Sequence, residues 1–434
     1  MPSKNTYKDI NSRGGSDILI DVLQDRGMIK FLDDFLGPRN ARAEYTYGEA
    51  ILTLFASQCN GASRTEDIYL LRKFFKRHPK LKKGMSPDTL LKIYKELVVP
   101  NEYHKKENVS DKLAEKIKKG KAFDSHEVNA NEITNELAVD VALKLGLISR
   151  GSTYDIDFDT THITTKIKHG RKYYDGHGKK AYCPGVMMIN NLPLYAENRN
   201  GDSNASFNLT STIEKGISQI EAKGMHVGTI RIDAAGFNKE FIRFANRRGY
   251  KYVTRAQVAT VKKEKQFITN WREVYINGRL TKVGDTVFYF GGEETRIIVK
   301  EVPKKNRNDD DDEFKYWGIA TNDFEKSNEE LLKLYAKRGD AENTFSALKS
   351  FGWRILPTQR FDSNSVFLGL TIINYLMYRF SLKVLAPKFP FVKENIRPKT
   401  FKDKFMALST YLENGIVTFS FNNMPWYSGL AGFT

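Results

Sequence analysis

Apolar positions recur at helical spacing through the first third of the chain. Residues 16–36 carry them in two runs that break near Gly27, and residues 47–59 carry a third that stops at Asn60-Gly61. Ser86-Pro87-Asp88 sets a capping hydroxyl before a first-turn proline, which predicts a short helix through TLLKIYKEL. Residues 105–121 are charged without an apolar period and are expected to be loose. A last helix over 132–145 ends before Gly146, so this third of the chain reads as mainly helical.

At Tyr154 the period changes to two. In YDIDFDTT the residues Asp155, Asp157 and Asp159 share one strand face, and Ile156 and Phe158 share the other. Three carboxylates on one face repel unless solvent, a cation or a raised pKa relieves them. A metal at the carboxy-terminal end of the strand is one reading, and a solvated edge strand is the other. Apolar strands follow at 185–189 and 192–197, forming a hairpin after the lysine-rich turn HGRKYYDGHGKK. Next come a helix at 210–223, a strand at 226–233, a helix at 239–248 and a strand at 250–255. Three strands, helix, strand, helix, strand is an α/β order. Asp233 ends the fourth strand just before Ala234-Ala235-Gly236, where open α/β sheets put their chemistry, although a structural strand-end Asp is common.

Residues 257–322 turn β-rich with charged turns (WREVYING, KVGDTVFYF, TRIIVKEV, FKYWGIAT) and read as an insertion. The acids at 309–313 read as a solvated hairpin tip, because contiguous acids cannot all converge on one ion. Residues 334–349, LYAKRGDAENTFSALK, read as one helix. Its Tyr335, Arg338, Glu342 and Lys349, spaced Tyr-x2-Arg-x3-Glu-x6-Lys, would fall within an arc of roughly 60°. One carboxylate flanked by two cations and a phenol suits a phosphodiester and a metal; a solvated face with an Arg-Glu pair is the plainer alternative. Gly352-Trp353 marks a stop, 366–377 reads as a buried apolar helix too short to span a bilayer, and 416–421 is strand-like.

Composition adds a partner class. With 69 Lys+Arg against 52 Asp+Glu in 434 residues, the formal charge is +17 and favours a polyanion, most commonly nucleic acid. The basic run holding Arg72, Lys73, Lys76, Arg77, Lys80, Lys82 and Lys83 precedes the capped helix at 87. The pair reads as a helix-turn-helix contacting phosphates, or as a helical bundle with a lysine-rich loop. Cys59 and Cys183 stand too far apart, and too far from clustered His, to indicate a zinc site or a disulfide framework. With no signal-like start, a reduced cytoplasmic setting without membrane association is expected.

Taken in order, Asp159 in IDFDTTH, Asp233 in RIDAAGF and Glu342 in RGDAENTFSALK, together with YYDGHGKKAY and ENRNGDSNAS, resemble a DDE transposase of a bacterial insertion sequence, in the group marked by the Tyr-Arg-Glu-Lys signature. The resemblance implies an α/β fold: an RNase H-like catalytic core with a β-rich insertion, preceded by a mainly helical amino-terminal domain. The expected division is a DNA-binding region at 1–150, core at 151–256, insertion at 257–324, core with the signature at 325–387 and a tail at 388–434. By resemblance Asp159, Asp233 and Glu342 would bind two divalent ions, magnesium or alternatively manganese, while Tyr335, Arg338 and Lys349 would hold DNA near the scissile phosphate. Asp157 competes with Asp159 for the first place, and the threonines after Asp159 favour the latter. The implied partners are double-stranded DNA, as terminal inverted repeats and target, and a second copy in a synaptic dimer. One relative has Trp after the signature Arg, for stacking a flipped base. Here Gly339 follows, leaving that role unfilled or to Trp271, Trp317 or Trp353. A nuclease without strand transfer and a non-enzymatic DNA binder descended from a transposase are the rival functions.

Overall fold

The computed structural model describes residues 10–69, 71, 84–106, 109–120, 122–168, 170–172, 179–276, 278–303, 314–408, 410–413 and 416–419. The seven basic residues from Arg72 to Lys83, the acids at 309–313 and the end of the tail lie outside these.

After a two-residue strand, β1 (Ile10–Asn11), come helices α1 (Gly15–Gln24), α2 (Met28–Leu36) and α3 (Tyr47–Cys59). Gly27 turns between the first two at φ 65°, a left-handed conformation that glycine adopts without steric cost. A capping box starts α3: the Glu49 N–H donates to the Thr46 hydroxyl, and the Thr46 N–H donates to the Glu49 carboxylate. The Ser-Pro-Asp start produces α4 (Pro87–Glu96), with the Thr89 N–H donating to Ser86 Oγ.

The stretch expected to be loose, 105–121, instead holds α5 (Asp111–Lys118), which lies between β2 (Glu102–Lys105) and β3 (Ser125–Asn129). These strands form on the edge of a sheet built later in the chain, so tertiary pairing supplies what no local apolar period announces. Helix α6 (Glu132–Lys144) then leads into the core.

Strand β4 (Thr153–Thr160) is followed by a small sheet of β5 (Ile163–Thr164), β6 (Arg171–Lys172) and β7 (Lys180–Tyr182), then by β8 (Gly185–Ile189) and β9 (Leu192–Arg199). The last two run antiparallel to each other, and β8 runs antiparallel to β4. Helix α7 (Leu209–Ala222) crosses to β10 (His226–Ile232), and α8 (Lys239–Arg248) crosses to β11 (Lys251–Arg255); β10 is parallel to both β4 and β11. The order β9-β8-β4-β10-β11, three antiparallel strands followed by two parallel ones reached through helices, is the RNase H-like arrangement.

After α9 (Val258–Glu264), the insertion forms β12 (Arg272–Ile276), β13 (Arg279–Phe290), β14 (Glu293–Pro303) and β15 (Phe314–Thr321). They extend the same sheet, β15 pairing antiparallel with β11, so the insertion is an outgrowth of the core, and among the described residues the sheet has eleven strands. Helices α10 (Asn328–Ala336) and α11 (Asp340–Leu348) carry the signature. Next come α12 (Phe361–Leu385), the short α13 (Pro398–Phe401) and a hairpin of β16 (Thr410–Glu413) and β17 (Ile416–Phe419) on which β1 pairs.

The apolar run read as 366–377 extends to 25 residues in α12, long and apolar enough on those grounds to cross a bilayer, which corrects the expectation drawn from its length. Protein, however, surrounds it: 94% of its most apolar window is buried. It packs against α1, α3, α4, α6 and β9, joining the amino-terminal helices and the catalytic sheet in one hydrophobic core. Gln58 of α3 ties two of the polar groups that α12 turns inward, accepting from Asn374 Nδ2 at 2.7 Å and donating to Thr371 Oγ1 at 3.0 Å.

Candidate active site

The three aspartates of β4 have three different surroundings. Asp155 accepts the Thr229 N–H at 3.0 Å. Asp157 is 1% exposed and faces its register partner Arg231 on β10, which donates Nε to Oδ1 at 2.8 Å and Nη2 to Oδ2 at 2.6 Å. Asp159, at the open end of the strand, takes the Thr160 N–H at 2.8 Å and one guanidinium nitrogen of Arg338 at 3.3 Å. Two arginines thus relieve the repulsion expected on this face.

Because Ile232 pairs in register with Phe158, the next residue on each strand, Asp233 and Asp159, stand side by side where the parallel pair ends. Asp233 turns the chain by capping its own turn: the Ala235 N–H donates to Oδ1 at 2.9 Å, and the Thr254 hydroxyl holds the Asp233 carbonyl at 2.6 Å. Arg338 Nη2 lies 4.0 Å from Asp233 Oδ2, so one guanidinium spans both acids. Burial pushes the Asp159 carboxyl up; Arg338 and the Thr160 N–H pull it back, and the negative charges of Asp233 and Glu342 push it further up.

The signature is not one uniform helix. Tyr335 ends α10, Arg338 sits in a 3₁₀ turn over Lys337–Gly339, Glu342 is on α11, and Lys349 begins a π-helical turn. The backbone stays right-handed throughout, but each 3₁₀ residue advances roughly 20° more than an α residue. Over three residues that widens the expected arc by about 60°. Tyr335 accordingly turns inward, buried with its ring edge-on to Trp317 at 5.5 Å, while Glu342 stays exposed. The hairpin between β8 and β9 seats α11: Thr344 Oγ1 donates to the Asn191 carbonyl at 3.1 Å. Gly352 closes the π turn at φ 154°, and a Cβ there would meet Gln58 at 2.7 Å.

Two clefts meet at Arg338 and Glu342. One, of about 690 Å³, is walled by Asp233, Arg255, Lys300, Trp317 and Tyr335; the other, of about 530 Å³, by Asp159, Thr160, Thr161, Lys349 and Arg354. The fold therefore brings together Asp159, Asp233, Glu342, Tyr335, Arg338 and Lys349. Burial, and then the nearby charge of Arg354, hold the Lys349 ammonium below its ordinary pKa. Sequence reasoning missed Arg255, Lys300 and Arg354. Arg255 closes a core strand as Asp233 does, a signal that was available, whereas Lys300 reaches the site only through strand register. Trp353 is fully buried and donates its indole N–H to the Leu368 carbonyl at 3.3 Å, which removes it from any stacking role.

Among the described residues no three acidic, histidine or cysteine side chains stand close enough to form a ready metal cluster. The donor chemistry nonetheless fits hard divalent ions, since all three acids at the site are carboxylates and a cation, the Arg338 guanidinium, already spans two of them.

Fold and site together define an RNase H-like core with Asp159 and Asp233 at its strand ends and Glu342 on a neighbouring helix. The chain belongs to the family described as "Transposase DDE domain group 1", which matches residues 121–410. Among solved structures it is similar to a piggyBac transposase synaptic complex with hairpin DNA, with 10% identity, a TM-score of 0.44, and coverage of 91% of this chain and 78% of that one. No curated protein matches it.

Proposed function

We propose that the protein is a cut-and-paste transposase of the bacterial insertion-sequence group with the Tyr-Arg-Glu-Lys signature, cleaving DNA at its element's ends and joining them to target DNA. The observation that supports this reading best is that one guanidinium, Arg338, spans Asp159 and Asp233 where two clefts lined by basic residues and by Glu342 meet. Asp159, Asp233 and Glu342 would hold two divalent ions, magnesium or manganese. When bound, such ions supply an activated water or 3′-hydroxyl and stabilise the departing oxygen at phosphorus. The chain's own part is positioning. Asp233 is fixed by its turn, Asp159 by β4, and Glu342 by the docking of α11 on the β8–β9 hairpin. Lys349 and Arg354 line the second cleft and offer positive charge to DNA phosphates. Terminal inverted repeats and target would be the DNA partners, and a pair of chains would hold two ends at once.

Purified protein incubated with magnesium, pre-cut DNA carrying the ends that flank its reading frame, and a supercoiled plasmid tests the reading. Joined products are expected. Cleavage of uncut ends without joining would make it a nuclease on the same core, and binding without either step would make it a non-enzymatic relative.

A further inference from the structure

The larger cleft has a wall that the triad does not explain. Lys300 on β14 stands directly across the ladder from Trp317 on β15. Arg255 on β11 pairs with Ile319, two residues along β15 and therefore on the same face. The Lys300 ammonium lies 4.5 Å, and the Arg255 guanidinium 5.7 Å, from the Trp317 ring centroid. Tyr335 packs edge-on against the same ring.

Two other cations of this sheet are neutralised. Arg296 reaches Asp285 at 3.1 Å and Lys282 reaches Glu301 at 3.6 Å. Among the described residues neither Arg255 nor Lys300 has a carboxylate partner. Half-buried Lys300 lies beside an aromatic ring, and burial holds its pKa below the ordinary lysine value. A positive charge kept without an acid, in a cleft shared with Asp233 and Glu342, suits an anion that arrives from outside.

Resting on the transposase reading above, we propose that Arg255 and Lys300, oriented by the ring of Trp317, grip phosphates of the DNA strand that enters the acidic centre. A cleft of about 690 Å³ takes a ligand of nucleotide size, so the occupant is a single strand. Trp317 acts as a positioning residue, its ring committed to two cations and Tyr335.

The test uses the full-length protein and a labelled single strand of random sequence, with binding followed by fluorescence anisotropy across a salt titration and no divalent ion present. Arg255→Met and Lys300→Met keep an apolar stem on the ring and remove the charge. Each is expected to weaken binding roughly threefold to tenfold and to lower the salt slope by about 0.7. Trp317→Leu should reproduce part of that slope change although it removes no charge, and Trp317→Phe should restore it. Lys282→Met, which removes a carboxylate-paired cation over Trp271 elsewhere in the sheet, should bind as wild type. Melting curves check folding, with Arg255→Gln and Lys300→Gln replacing a variant that does not melt cooperatively. A wild-type slope in the Arg255→Met/Lys300→Met double variant overturns the inference and leaves the transposase reading standing, as does weaker binding at unchanged slope. Absence of salt-dependent DNA binding by the wild-type chain overturns both.

Discussion

Asp157 and Asp159 are two residues apart on one face of one strand, and each meets an arginine. The first pair is closed: both carboxylate oxygens are taken within 2.8 Å, and acid and guanidinium are buried. The second is open. Asp159 is 14% exposed, meets Arg338 through a single 3.3 Å contact, and shares that guanidinium with Asp233, itself 36% exposed. Arg338 Nε finds no partner among the described residues although it is buried. A two-pronged buried pair cannot exchange partners without a large desolvation cost, whereas a shared, monodentate one at a cleft mouth can. The same residue type thus builds scaffold at one position and keeps a reactive edge two residues later.

The largest expected effect falls on the open side. Asp159→Asn, Asp233→Ala and Glu342→Ala should each reduce magnesium-dependent cleavage of end DNA on the order of a thousandfold or more, about 4 kcal/mol of transition-state stabilisation, with melting temperatures near wild type. Near-normal cleavage by any one of them in a gel assay removes that residue from the triad. The closed side should respond in the opposite currency. Asp157→Asn leaves buried Arg231 with only its longer, 3.6 Å contact to Asp155 and should destabilise by about 3 kcal/mol in urea unfolding. Replacing both partners, Asp157→Leu with Arg231→Met, should recover much of the loss. If Asp157→Asn unfolds like wild type yet fails to cleave, the two aspartates have exchanged roles.

The division between these pairs was only half legible beforehand. Period two put all three aspartates on one face, and the threonines after Asp159 pointed to it, but Arg231 lies on another strand and its pairing depends on register. The core strands and most helices followed from apolar period and local signals, as at Ser86 and Gly27. Strands β2 and β3 did not, because their partner is an edge formed by β9 far along the chain. The signature looked like one uniform helix because spacing alone does not reveal a 3₁₀ turn; Gly339, a weak helix former, was the available sign. A boundary near residue 150 followed from the change of period. The core ignores it, since α12 packs on both sides, so end recognition belongs in assays of the full chain.

A third carboxylate extends the comparison to pH. Asp202 accepts from Lys106 at 2.6 Å, with His126 at 3.5 Å and Arg171 at 3.7 Å. Burial alone would raise its pKa, but those three partners outweigh it and bring it down to about 2. A depressed acid adds stability above its unfolded pKa and loses it as pH falls through the folded value. Asp202→Asn should therefore cost about 2 kcal/mol at neutral pH, and the difference from wild type should shrink between about pH 4 and about pH 2. A pH-independent difference would mean that packing, and not charge, makes this network part of the scaffold.

The smallest effect tests the open pair most directly. Arg338 was expected to hold Glu342 or to grip phosphate, yet it spans Asp159 and Asp233. A guanidinium there neutralises the two acids while no metal is present, and it repels a cation that comes to replace it. If that is its role before DNA arrives, Arg338→Ala should bind manganese more tightly than wild type in calorimetry without DNA, on the order of tenfold or ~1.4 kcal/mol. Arg338→Lys should fall between, because lysine keeps the charge but cannot span two carboxylates with a planar fork. DNA binding by both variants should weaken, since the charge at the meeting of the clefts is lost or misplaced. Weaker manganese binding in Arg338→Ala would show instead that the guanidinium holds the carboxylates in their binding arrangement. The open pair would then be as structural as Asp157 with Arg231, and the distinction between two neighbouring aspartates would reduce to exposure alone.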